Sequence, residues 1–267
     1  MATSRQWQLE HDSAVQSERY SVPAIFGPFA DALLERASIS PGDRVIDIGC
    51  GTGAATRPIA RLAGESGQVI GVDVNQASLQ VAASVSPTDG AMIEWVEADA
   101  EHLPFDDGSF DVVVMAQTLQ FLPDRAAALR EARRVLRSGG RLVASFWAST
   151  HSNPYFEALT SALLRLIDDT TARGVASVFA LAKPEPAVES AEEAGFSSIR
   201  LEQVTLRLDL TPVAQFLPQH MAGTPMARGW SAASDSARAH VVEQVTEAIA
   251  RFGPQVPFCS HVLVATA

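Results

Sequence analysis

The chain has 267 residues, 47% of them hydrophobic and 19% charged, which is enough apolar material for a sizeable core and too much for a disordered chain. Its formal net charge of -11 argues against a nucleic-acid partner, because a phosphate backbone selects a basic face. The opening MATSRQWQLEHDSAVQ lacks an apolar stretch of signal-peptide length, no apolar run reaches the roughly 18 residues of a membrane helix, and Cys50 and Cys259 make no disulfide framework, so a cytoplasmic protein without membrane insertion is expected.

In chain order, residues 24–37 (AIFGPFADALLERA) place Phe29, Leu33, Leu34 and Ala37 at helical spacing, and Pro41-Gly42 breaks the pattern. Arg44 to Ile48 reads as a short buried strand, 54–63 as a helix ending near Gly64, and Gln68 to Val72 as a second strand. A helix over 76–85 and a third strand over 92–96 follow. FDVVVM (110–115) is a continuous apolar run, as expected of a strand covered on both faces. A helix over 123–136 is stopped by Gly139-Gly140, and 141–146 makes a fifth strand. Strands alternating with helices in this way predict an α/β fold with a doubly wound, mostly parallel sheet.

Beyond residue 150 the pattern loosens. Residues 150–183 read as helices and loops, 185–194 as a short helix before Gly195, and 196–208 as a strand. Residues 211–232 are rich in Pro, Gly and Met with weak periodicity. Ser234 or Asp235 caps a helix that Gly253 stops, and FCSHVLVA (258–265) reads as a last strand. The late pieces are expected to complete the sheet and cover its carboxyl edge, with no clean boundary. One domain over 1–267 is therefore expected, with a helical cover (1–40), a ligand-binding core (41–148), a second cover with late strands (149–256) and a last strand (257–267).

The first strand runs directly into Gly49-Cys50-Gly51-Thr52-Gly53. Ligands of such sheets bind beyond the carboxyl ends of the strands. Glycines there admit unusual backbone angles and a close ligand, and the next helix aims its free N–H groups at the same place. Asp73 ends the second strand, where an acid can take ribose hydroxyls, and Asp99, followed by Ala100, ends the third, where an acid can accept from an adenine amino group. A dinucleotide site has no general need for the latter pair, and the loop is G-x-G-x-G where a nicotinamide site would have G-x-G-x-x-G. Cys50 has no basic neighbour to activate it and is expected to be structural.

From Pro41 to Trp147, the runs PGDRVIDIGCGTG, GVDVN, EADAEHLPFDDGSFDVV, LQFLPD and EARRVLRSGGRLVASFW resemble the class I S-adenosylmethionine-dependent methyltransferases, and within them the type 11, ubiquinone/menaquinone-biosynthesis-like small-molecule group. The resemblance implies a seven-stranded Rossmann-like sheet with an antiparallel last strand, and S-adenosyl-L-methionine as cofactor. It implies Gly49 and Gly51 beside the methionine part, Asp47 near its amino group and Asp73 on the ribose. It puts Val74 against the adenine, Asp99 on the adenine amino group, the Ala100 N–H on a ring nitrogen, and Gln117 beside the methionine end. No metal is implied.

Many relatives carry a His after the fourth strand, whereas MAQTLQFLPD here offers Gln120 and Phe121. His11, Asp12, His151 and His220 lie in segments able to fold over the site and are expected at the surface, and His261 is expected to be structural. Catalytic residues stay unassigned, and alignment of donor with acceptor is expected to dominate. Trp7, Tyr20, Phe146, Trp147, Phe179, Phe216, Met221, Met226 and Trp230 are candidates for an apolar acceptor pocket. The expected activity is methyl transfer to the oxygen or carbon of an apolar small molecule. The alternatives are a non-methylating reaction on the same fold, such as a cyclisation, a non-catalytic binding protein, or a protein or RNA methyltransferase.

Overall fold

A computed structural model describes residues 8–85 and 89–267, and Trp7 lies outside them. The strands are β1 (Arg44–Ile48), β2 (Gln68–Asp73), β3 (Ile93–Glu97), β4 (Phe110–Ala116), β5 (Leu136–Trp147), β6 (Ser197–Asp209) and β7 (Gln255–Thr266). They form one sheet in the order β3-β2-β1-β4-β5-β7-β6. The β1 to β5 pairings are parallel, and β7 runs antiparallel to both β5 and β6. Strand order reverses between β1 and β4, which opens a crevice at their carboxyl ends. The expected fold class is thus observed.

The helices are α1 (His11–Gln16), α2 (Gly27–Ala37), α3 (Thr56–Ala63), α4 (Gln76–Ser84), α5 (Arg125–Val135), α6 (Pro154–Leu166), α7 (Asp169–Ala176), α8 (Glu185–Glu193), α9 (Val213–Ala222), α10 (Ala227–Ala232) and α11 (Asp235–Ile249). Side-chain caps set several starts: Asn75 accepts from Ser78 N, Asp124 from Ala127 N and Ser234 from Ala237 N. Helices α2 and α3 pack on one face of the sheet, burying Leu33 and Ile59 with Val45 and Val114. Helices α5 and α8 cover the other, where Leu129, Val135 and Ala187 meet Ile46 and Met115. A third apolar cluster joins α6, α7, α9 and α11 above the strand ends, around Tyr155, Leu159, Leu217 and Val245.

Three details depart from the sequence reading. Residues Ser17–Phe26 form a π-helix that runs into α2 and contains Pro23. Proline crowds the carbonyl four residues back, and the wider π turn gives that carbonyl more room. Ser17, Ser21 and Ile25 are buried at every fourth position along it. Gly139-Gly140 does not stop α5, which ends at Val135. The pair lies where the β4–β5 register jumps from Leu136 to Arg141, and Gly139 adopts φ +74° there. Residues 211–232, of weak periodicity, nonetheless hold α9 and α10.

Candidate functional site

The glycine loop sits at the mouth of the crevice. Gly49 N and Cys50 N both donate to Val72 O, at 2.7 and 3.0 Å, which turns the chain sharply out of β1. Gly49 has φ +74°, and a Cβ on it would lie 2.4 Å from the Thr118 side chain. Gly51 has φ +54°, and a Cβ on it would meet nothing within 4 Å. The first glycine is therefore required by packing against the loop after β4, and the second leaves backbone bare towards open space.

Two acids are anchored against this loop. Asp73 accepts from Gly51 N and Asn75 N, both at 2.8 Å, so one carboxylate ties the end of β2 to the loop after β1. Burial raises its pKa, and hydrogen bonds from the Asn75, Gly51 and Val74 N–H groups pull it back. Asp47 is fully buried; one oxygen accepts from Thr56 Oγ1 at 2.6 Å, and the other, Oδ1, has no partner among the described residues. Burial pushes its pKa up to about 7, against the Thr56 hydrogen bond and with the help of the Asp73 charge. An orphaned acceptor of this kind fits a cationic donor such as an ammonium. Burial and the two carboxylates also push the Cys50 thiol up, which suits a structural rather than a nucleophilic role.

At the end of β3, Asp99 is exposed and Oδ1 accepts from Glu101 N at 3.0 Å, while Ala100 is buried. Val74, at 39%, is among the few large apolar side chains left open. Gln117, just past β4, has φ +54° and is buried. Its amide is already engaged: Nε2 donates to Ser260 Oγ at 2.7 Å, and Oε1 accepts from Gln120 Nε2 at 3.2 Å. Gln120 thus stands behind Gln117 and does not line the cavity.

A cavity of about 310 Å³ joins these pieces. Asp47, Gly49, Gly51, Asp73, Val74, Asp99, Ala100 and Gln117 all line it, so all eight residues expected from the sequence come together. The cavity continues into an apolar half walled by Val22, Phe26, Phe29, Trp147, Phe156 and Met226, with Ser21 and His220 among them. Of the aromatic and Met candidates, only Trp147 and Met226 line it among the described residues. Phe146, Phe179, Met221 and Trp230 pack within the core and Phe216 against it, and the Tyr20 ring lies beneath Arg19. The sequence does not single out Val22, Phe26, Phe29 or Phe156, because each falls in a helical apolar pattern that reads equally well as packing.

His11, Asp12 and His151 are exposed or half-exposed at the surface, as expected. His261 is half-buried, with its ring against Phe146 and Nε2 3.4 Å from Ala182 O. His220 overturns the surface expectation. It is 4% exposed, with its ring stacked on Phe216 at 5.4 Å and Nδ1 3.0 Å from Ser21 Oγ. Its burial is hard to see in the sequence because α9 contains Pro218 and a polar tail that hide its inward stripe of Val213, Leu217, His220 and Met221.

Residues 46–144 match the family model described as a methyltransferase domain. That stretch carries the glycine loop, Asp73 and Asp99, so the matched methyltransferase-type domain holds the polar end of the cavity. Among curated proteins, the ubiquinone/menaquinone biosynthesis C-methyltransferase UbiE of Hahella chejuensis is 44% identical over 112 residues, covering 41% of this chain and 45% of that one. The Teredinibacter turnerae UbiE is 40% identical over the same length. The chain spans about half the length of the curated relatives it matches. Among solved structures, the methyltransferase-type protein BH2331 of Bacillus halodurans C-125 has TM-score 0.56 at 20% identity, covering 89% of this chain and 97% of that one. The methyltransferase fold therefore extends well beyond the matched domain, into the covering helices. Among the described residues no helix is long and apolar enough to cross a membrane.

Proposed function

We propose that the protein transfers a methyl group from S-adenosyl-L-methionine to the oxygen or carbon of a neutral, apolar small molecule of quinol-like character. The carrying observation is one cavity that runs from the glycine loop, Asp73 and Asp99-Ala100 into a chamber walled by Phe29, Trp147, Phe156 and Met226. When bound, S-adenosylmethionine supplies a methyl group already activated on a sulfonium. The chain's own residues would hold it as follows. The bare backbone at Gly51, with Gly49 beside it on the cavity wall, would admit the methionine part, and the orphaned Oδ1 of Asp47 would take its ammonium. Asp73 has lone pairs left for the ribose hydroxyls after its two backbone contacts. Val74 packs on the adenine, Asp99 accepts from its amino group, and Ala100 N–H donates to a ring nitrogen. Gln117 borders the methionine end with an amide fixed by Ser260 and Gln120.

On this reading residues 41–148 are the cofactor-binding core, and the described part of 1–40, with 149–256, encloses the acceptor. The UbiE relatives act in ubiquinone and menaquinone biosynthesis by name, and this is what favours a quinol-like acceptor. The net charge of -11 argues against a nucleic-acid partner. The test is incubation with S-adenosylmethionine and a panel of substituted hydroquinones and catechols. S-adenosylhomocysteine together with a product one methylene heavier, read by mass spectrometry, supports the proposal. Failure to bind S-adenosylhomocysteine in calorimetry refutes it, and product formation without S-adenosylhomocysteine moves the chain to non-methylating chemistry.

A further inference from the structure

We propose that His220 is a catalytic residue of the acceptor half of the cavity, a general base whose free Nε2 takes the proton of the acceptor's hydroxyl or acidic carbon while Ser21 holds its Nδ1. The proposal rests on the methyl-transfer reading above.

The observations begin with position. His220 lines the same cavity as the glycine loop, on the side walled by Phe29, Trp147, Phe156 and Met226. Ser21 Oγ lies 3.0 Å from Nδ1, and among the described residues Nε2 has no hydrogen-bond partner. The His220 side chain is 4% exposed and lines the cavity, so the ring nitrogen that Ser21 does not engage is available to a ligand there. The ring is held on several sides, stacked on Phe216 and edge-on to Tyr155 at 5.7 Å and Phe156 at 5.9 Å. Close approach of the N-terminal π-helix makes the Ser21 contact possible. At Gly223, three residues past His220, a Cβ would lie 2.7 Å from Ser17 N, so only a glycine lets the segment carrying Ser21 come down onto α9. The place usually filled after the fourth strand is out of reach here, since Gln120 is turned behind Gln117.

The chemistry balances. The acceptor's oxygen or carbon forms a bond to the methyl carbon as the methyl–sulfur bond breaks, and that electron pair stays on sulfur to give neutral S-adenosylhomocysteine. The acceptor's proton passes to Nε2, so the positive charge lost at sulfur reappears on the imidazolium. For Nε2 to accept, Nδ1 must carry the hydrogen and donate it to Ser21 Oγ, so the serine selects the tautomer. Burial lowers the pKa of His220 to about 4, so the imidazole is neutral, with a lone pair free, at physiological pH. Ser21, Tyr155, Phe156 and Phe216 are the groups packed against the ring, and none is charged. The acceptor that suits this chamber is neutral and apolar, with an acidic O–H or C–H, as in a hydroquinone, a catechol or an enol.

The experiment has two independent arms. In [15N]histidine-labelled protein, His220 is identified by the signal lost in His220→Gln. Nitrogen shifts of the Nδ1–H form are expected, and the Nε2–H form would overturn the proposal without any acceptor being needed. In the second arm, methyl transfer to methylhydroquinone, 4-methylcatechol and 2-acetylcyclohexanone is measured in single turnover for wild type, His220→Gln, His220→Ala and Ser21→Ala. At least about a hundredfold loss of rate in both His220 variants is expected, with S-adenosylhomocysteine affinity unchanged in calorimetry. Ser21→Ala, which leaves the ring in place, is expected to lose roughly tenfold, in rate rather than in KM. Recovery of the rate in His220→Gln would reduce the role to orientation and overturn the base. Wild-type protein that binds S-adenosylhomocysteine but methylates none of the three probes would overturn the assigned acceptor class. Wild-type protein that does not bind S-adenosylhomocysteine would instead bring down the functional reading on which the proposal rests.

Discussion

A methyl group added at Gly49 and one added at Gly51 would do opposite things. At Gly49 it would collide with Thr118, whose hydroxyl donates to Ile48 O at 3.1 Å and joins the loop after β4 to the end of β1. Gly49→Ala is therefore expected to lower stability by at least about 2 kcal/mol, from left-handed strain plus displaced packing, read as a lower melting temperature. At Gly51 the methyl group would enter open space, so Gly51→Ala should cost only about 1–2 kcal/mol of backbone strain. It should nonetheless weaken S-adenosylhomocysteine binding at least about tenfold, because the Cβ occupies the approach to the backbone. Near-native affinity in Gly51→Ala would show that the ligand does not pass there. Asp73→Ala removes charge-assisted hydrogen bonds worth roughly 1.5–3 kcal/mol each, so calorimetry should find affinity reduced about ten- to hundredfold. Unchanged binding would remove Asp73 from the ribose.

The elements differ in how much of themselves they wrote into the chain. β1, β2 and β4 are buried on both faces, so their apolar runs are legible, and Asp73 and Asp99 can be placed because one closes a strand and the other follows one, while Asp47, inside β1, is marked only by the resemblance. The cover is not legible in the same way. Its helices bury side chains on one another and on the cavity at once, so Phe29 and Phe156 look like ordinary packing. The π-helix over Ser17–Phe26 reads in the sequence as an ordinary helical stretch, and its closure depends on contacts far away in sequence. Asn75 Nδ2 donates to Leu9 O at 3.1 Å, and Glu18 pairs with Arg57 at 2.5 Å with both side chains largely buried. These contacts strap the segment across the glycine loop. Hydrogen exchange over 8–26 and 211–232 is expected to slow when S-adenosylhomocysteine binds, and Arg57→Ala should speed it over 17–26 by about tenfold or more in the free protein. Equal protection in all states would mean that the strap is a fixed wall.

At the scale of the whole molecule, two buried groups on the cavity oppose each other across one pH window. His220 titrates near 4 when folded and 6.5 when unfolded, so between these values the unfolded chain holds more protons and stability rises with pH. Asp47 titrates near 7 when folded and 3.8 when unfolded, so over nearly the same range the folded chain holds more protons and stability falls with pH. Each pH unit that separates folded from unfolded titration is worth about 1.4 kcal/mol, so the full contributions are about 3 and 4 kcal/mol, close enough to cancel to within about 1 kcal/mol. Asp73, raised by burial, adds to the Asp47 side, and His261, lowered by burial, adds to the His220 side. Asp111, Glu131, Asp168 and Asp209 have lowered pKa values, so what they contribute is lost mainly below the window, as pH falls through their folded values. The ligand-free wild type is therefore expected to be nearly flat in unfolding free energy between about pH 4.5 and pH 6.5. Asp47→Asn should expose the His220 slope, with stability climbing as pH rises, and His220→Gln should expose the Asp47 slope, with stability falling until it levels above about pH 7. Urea unfolding of the three proteins across the window measures both slopes. The same Asp47 proton links stability to ligand binding, because an ammonium placed against Oδ1 favours the carboxylate. Calorimetry in buffers of different ionisation enthalpy should therefore detect proton release when S-adenosylhomocysteine binds below about pH 7, and Asp47→Asn should abolish it. Release that persists in that variant would assign the proton to another group and take the ammonium away from Asp47.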